Sequence, residues 1–138
     1  MIRILIGTFL IAHGLVHSGL AAAPIPNDPN SKPGAFFTDS TRSWLLSGIG
    51  LNASAIRITG IVLVALGTLS FIAAGLGALG VSGLDSIWRT MTVVSAGLSL
   101  LLLVVFWHPW LFVGTLLNIG ILISLLVAHW PSPDLIGS

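Results

Sequence analysis

Two histidines four residues apart, His13 and His17, stand in an otherwise apolar stretch near the start of the chain. On a helix this spacing puts both imidazoles on one face, one turn apart. Such a pair can ligate haem or a metal ion, line a path for protons or small molecules, or hydrogen-bond to polar groups on neighbouring helices. The last demands least, because a neutral imidazole away from water needs only partners for its N–H and its lone pair. Asn118, in the middle of the last apolar stretch, offers both a donor and an acceptor and is the expected partner of His13. A zinc or copper site wants three or four ligands. To reach that count His13 and His17 must recruit His108, at a turn on the side of His17, and Asp39 in a polar connection.

The elements that carry these residues follow from composition. The chain has 138 residues, 55% hydrophobic and 7% charged, whereas a soluble domain carries about a quarter charged residues. No Asp, Glu, Lys or Arg occurs from Ile58 to Leu84, or from Thr90 to Pro133. Runs of that length belong in lipid. The expected fold is all-α, a single membrane domain of four transmembrane helices over about 2–23, 53–80, 86–106 and 109–128, with one long polar loop at 24–52. Arg3 ahead of an apolar run that ends in Ala21-Ala22-Ala23 also has the form of a secretory signal. Two histidines within the apolar run argue for a retained helix.

Charge and residue usage exclude several classes. A net charge of +1 provides neither a basic face for nucleic acid nor a polybasic tail for anionic lipids. There is no cysteine, hence no disulfide or thiolate site. Glutamate is absent too, and the four carboxylates, Asp28, Asp39, Asp85 and Asp134, lie outside the apolar runs. Paired-carboxylate catalysis within the bilayer is therefore hard to build. Gly75-Leu76-Gly77-Ala78-Leu79-Gly80 has GxGxxG spacing, but it closes an apolar helix where a dinucleotide-binding turn would open one.

Helix ends and faces can also be read. Asn52 and Asp85 are expected N-caps of the second and third helices, Pro109 suits the first turn of the fourth, and Asp85 and Arg89 are spaced for a terminal ion pair. Trp44, Trp88, Trp107, Trp110 and Trp130 are the expected interface anchors. Positive charges fall on both sides, Arg3 and Arg89 against Lys32, Arg42 and Arg57, so orientation stays open. The second half of the long loop reads either as a short interfacial helix or as an ordered loop anchored by Trp44. At 100° per residue, Arg3, Ile6, Gly7, Leu10, His13, Gly14, His17 and Ser18 share an arc of about 140°. That arc is the expected packing face of the first helix. Gly60, Gly67, Thr68 and Phe71 share one face of the second, Trp88, Thr92, Ser95 and Ser99 one of the third, and Gly114, Thr115, Asn118 and His129 one of the fourth. Gly7, Gly14, Gly60 and Gly67 are the expected points of close helix approach.

The first helix, with His13-Gly14-Leu15-Val16-His17, resembles that of small uncharacterised four-helix bacterial membrane proteins opening with an HGLxH pattern, which brings no activity with it. Arg3, Gly7, Phe9, His13 and Gly14 are also similar to the first helix of DoxX-like proteins, a family that includes membrane subunits associated with quinone-linked oxidoreductases. The leading expectation is a non-enzymatic subunit or scaffold without a cofactor. It would sit in a prokaryotic cytoplasmic membrane, packed against copies of itself or other membrane subunits. The alternative, which the second resemblance suggests, is a redox component holding haem, metal or a quinone through His13 and His17.

Overall fold

A computed structural model describes residues 1–136, which form an all-helical bundle with no strand among them. The helices are α1 (Ile2–Ala22), α2 (Ala35–Thr38), α3 (Trp44–Gly48), α4 (Ala53–Ala78), α5 (Trp88–Val105), α6 (Phe112–Leu122) and α7 (Pro133–Ile136). A 3-10 turn at Pro109–Leu111 leads into α6, and a π-helical turn at Ile123–Val127 continues it. Four segments are long and apolar enough to cross a membrane: α1, α4, α5 and the composite Pro109–Val127. At 1.5 Å per residue they reach roughly 27–39 Å, enough for a hydrocarbon core of about 30 Å.

The chain runs up and down. The N-terminus of α1, the C-terminus of α4, the N-terminus of α5 and the end of the fourth segment share one side, and the long loop lies on the other. α4 is the central helix, packed against α1 and α5, while α6 leans mainly on α5 and is not closely packed on α1. Only 11% of the fourth segment's apolar window is buried, against 50% for α4.

Local chemistry sets the ends of α4. The Asn52 side chain accepts from Ala55 N at 2.9 Å, the expected cap. At the other end Gly80 takes φ 96°, which lets Val81 N bond Leu76 O at 3.1 Å and Gly80 N bond Gly77 O at 2.9 Å. This paired closure needs a left-handed residue and so favours glycine.

α5 begins differently from expectation. Asp85 does not cap it: Leu84 N and Asp85 N both bond Val81 O at 3.1 Å, and that turn delays the helix until Trp88, with Ile87 at the N-cap. The Asp85–Arg89 ion pair does not form, since the ion pairs among the described residues are those of Arg42. Arg89 instead donates to the Pro131 carbonyl and lies over the Trp88 ring at 5.3 Å. Trp88 is 5% exposed, so it is a core residue and not an exposed anchor. Trp44, Trp107, Trp110 and Trp130 are exposed.

The loop is more deeply integrated than its polarity suggests. Its second half forms short helical turns, and Phe36 and Phe37 tuck under the bundle, buried with Ile56, Leu102 and Phe106. Ser43 donates to Val105 O at 3.0 Å and Trp44 Nε1 to Val104 O at 2.7 Å, which satisfies carbonyls of the last turn of α5 that lack intrahelical partners. Glycine permits the closest crossing: a Cβ on Gly60 would fall on the Phe37 carbonyl oxygen. Gly7 and Gly75 face each other across α1 and α4, each with its Cβ position within 2.8 Å of the other's carbonyl oxygen, and a Cβ on Gly14 would lie 2.8 Å from Phe71 Cβ. Gly67 departs from expectation. It is buried, yet a Cβ there meets nothing within 4 Å, so it mediates no close approach.

Candidate functional site

Two apolar clusters divide the interior. One gathers Phe37, Val64 and Leu102 at the loop side; the other gathers Leu10, Phe71 and Ala96 toward the opposite side. Between them the helices place five polar residues: His13 and His17 on α1, Thr68 on α4, Ser99 on α5, Asn118 on α6. All five are buried, Ser99 and Asn118 to 0% exposure. Counted from the helix ends, His13 and Asn118 lie roughly 14–17 Å deep, which is mid-membrane.

Hydrogen bonds join four of them. His17 Nδ1 lies 3.0 Å from the His13 carbonyl oxygen, which can only accept, so Nδ1 carries the proton. A neutral His17 then accepts at Nε2 from the Ser99 hydroxyl, 2.6 Å away. Ser99 Oγ in turn accepts from Asn118 Nδ2 at 2.7 Å, and the same amide nitrogen donates its second proton to Gly114 O at 2.8 Å. Asn118 Oδ1 is left to accept from His13 Nε2 at 3.3 Å. One assignment of protons satisfies every contact, with both imidazoles neutral and the bonds running in one direction around a closed circuit. A protonated His17 would turn the Ser99 hydroxyl proton away to seek another acceptor, and charge in lipid is costly besides.

Aromatic rings hold the imidazoles in place. His13 meets Phe71 edge-on at 4.8 Å and stacks on Phe9 at 5.8 Å, while His17 stacks on Phe71 at 5.9 Å. Phe71 itself is 0% exposed. Nearby, Ser18 and Thr68 hydroxyls are 3.0 Å apart and add a second α1–α4 link.

The structure thus brings together His13, His17 and Asn118. His108 does not join them: it packs edge-on against Phe36 at 5.5 Å, and its Nδ1 accepts from Trp110 N at 3.3 Å. Asp39 is likewise engaged in the loop, accepting from Thr41 N at 2.9 Å and pairing with Arg42 at 3.5 Å. Among the described residues no group of three or more His, Cys, Asp or Glu is placed to hold a metal ion. Among the described residues His13 Nδ1 is the one imidazole nitrogen of the pair without a hydrogen-bond partner, so chemically the site offers a single lone pair. Ser99 is the residue sequence reasoning missed as a site member; its place in the Trp88–Thr92–Ser95–Ser99 stripe, at the depth of His17, was the available signal.

Beside the network, α1 and α6 leave an apolar cleft of about 300 Å³ toward the Arg3 side, between Phe9, Leu10, Thr92, Leu117, Ile121 and Trp130. No family model, curated protein or solved structure matches the chain. The site is a polar layer that ties three helices across an interior of hydrocarbon, with one side of the bundle left open.

Proposed function

We propose that this chain is a small, non-enzymatic subunit of a prokaryotic cytoplasmic membrane, whose bundle is completed by a second membrane component seated on its α1–α6 side. The observation that carries the reading is the asymmetry of the bundle. α6 buries only Asn118, and α1 and α6 are joined by the His13–Asn118 hydrogen bond, beside an apolar cleft, where close backbone packing would be expected. Helices in lipid associate through close packing and interhelical hydrogen bonds, and here the second supplies what the first lacks. The partner is another copy of the chain or a different membrane subunit.

The alternative redox reading asks haem, metal or a quinone to be held by His13 and His17. It has only His13 Nδ1 to draw on, since His17 spends both ring nitrogens on His13 O and Ser99.

Purification from the native membrane in mild detergent, recording visible spectrum, metal content and co-purifying proteins together, separates the two. A colourless, metal-free protein recovered as a defined oligomer or with stoichiometric partners is the expected result. A haem band or stoichiometric metal that is lost in His13→Ala and His17→Ala would overturn it.

A further inference from the structure

On the loop side, away from the histidine layer, Asp28, Lys32, Asp39, Arg42 and Arg57 surround a polar pocket of about 560 Å³. We propose that this pocket binds a phosphate group, that of an anionic phospholipid headgroup.

Arg42 is held between the two carboxylates, 2.6 Å from Asp28 and 3.5 Å from Asp39. Both acids are therefore occupied, and Asp39 is further committed to the Thr41 backbone and hydroxyl at 2.9 and 2.6 Å. Lys32 and Arg57 form no ion pair among the described residues and are exposed. Three cations against two carboxylates leave the pocket at +1, with the excess on two flexible side chains that approach it from different elements, the loop and α4. A phosphate accepts several hydrogen bonds, and a guanidinium with an ammonium is a common donor pair for it.

Position on the helix favours a lipid as its source. Arg57 lies in the second turn of α4, where the apolar segment meets the headgroups, and its neighbours Ile58 and Ile61 are 60% and 49% exposed on the outside of the bundle. An anionic lipid with its phosphate between Lys32 and Arg57 can lay an acyl chain against that surface. Long cationic side chains reach toward headgroups from such positions.

Full-length protein in detergent is titrated with phosphatidylglycerol, phosphatidylcholine or sn-glycerol 3-phosphate, and bound species are counted by native mass spectrometry. Lys32→Gln and Arg57→Gln are compared with the parent, with helix content checked by circular dichroism. Phosphatidylglycerol should be retained in preference to phosphatidylcholine. Each substitution should weaken retention about fivefold, the contribution of one basic side chain near a membrane surface. If glycerol 3-phosphate displaces the lipid at equal concentration, the phosphate site stands but its natural ligand is soluble, which overturns the lipid assignment. Equal retention of the two lipids would overturn the assignment to an anionic headgroup, and phosphatidylglycerol binding unchanged in both variants would overturn the site.

Discussion

His13 Nε2 and Asn118 Oδ1 meet at 3.3 Å across two helices whose backbones do not pack closely. The residues are 105 positions apart, and their contact closes a ring that passes through Ser99 and His17 before returning to the His13 carbonyl. The ring fixes α1 and α6 relative to α5 in a layer where the apolar clusters above and below supply no directional contact.

Ser99 and Ser95 provide the sharpest test of this ring. Both are 0% exposed and sit one turn apart on α5, but among the described residues Ser95 bonds only to its own helix, at Met91 O, whereas Ser99 joins α1 to α6. Ser99→Ala should destabilise the bundle by about 1–2 kcal/mol, and Asn118→Ala by a similar amount. Ser95→Ala should cost less than about 0.5 kcal/mol. Unfolding in mixed micelles measures all three. Equal effects of the two serine variants would mean that the ring contributes nothing beyond intrahelical bonding.

Glycine positions separate by what a methyl would meet. Gly60→Ala pushes against the Phe37 carbonyl, backbone that cannot easily move aside, and should cost about 1–3 kcal/mol. Gly97 is exposed, with nothing within 4 Å of its Cβ position, so Gly97→Ala should stay within about 1 kcal/mol of the parent. Thermal unfolding of the two variants checks the order, and a neutral Gly60→Ala would show that the loop does not press on α4.

His108 carries a pH dependence at the loop-side turn. Partial burial lowers its pKa below the ordinary 6.5, with the Arg42 cation adding in the same direction. The unfolded chain then takes up the proton more readily than the folded one. Stability from this group is complete above pH 6.5 and declines as the pH falls through that value toward the lower folded pKa. An NMR titration of the imidazole should give a midpoint below 6.5, and His108→Gln should remove this part of the acid sensitivity. A midpoint at or above 6.5 would contradict the assignment.

How far the sequence discloses this arrangement depends on the kind of force involved. The four spans follow from hydropathy alone, because lipid tolerates no long stretch of unpaired charge. The inward face of α1 was legible for the same reason: Gly7, Leu10, His13, Gly14 and His17 are buried, while Ser18 at the edge of the arc is exposed. The His13–Asn118 pairing could be anticipated from depth. Asp85 misled because a cap depends on where the helix begins, and the turn at Val81–Ile87 shifts that point by hydrogen bonds that residue type does not announce. Trp88 misled because a tryptophan near a span end suits either the interface or the core, and here it packs inward on Gly77 of α4, whose Cβ position lies 2.8 Å from Trp88 Cβ. Phe36 and Phe37 lie in a polar loop, and their burial depends on the Gly60 crossing, which pattern alone does not reveal.

The claim that the α1–α6 side receives a partner can be tested most directly by cross-linking in native membranes. The chain has no cysteine, so one introduced at Gly120, exposed on α6 with open space around it, reports on that side alone, and one at Gly97 on α5 serves as the lipid-facing comparison. A discrete adduct of fixed mass is expected from Gly120→Cys and a monomer from Gly97→Cys. Monomer at both positions, or equal cross-linking at both, would contradict it.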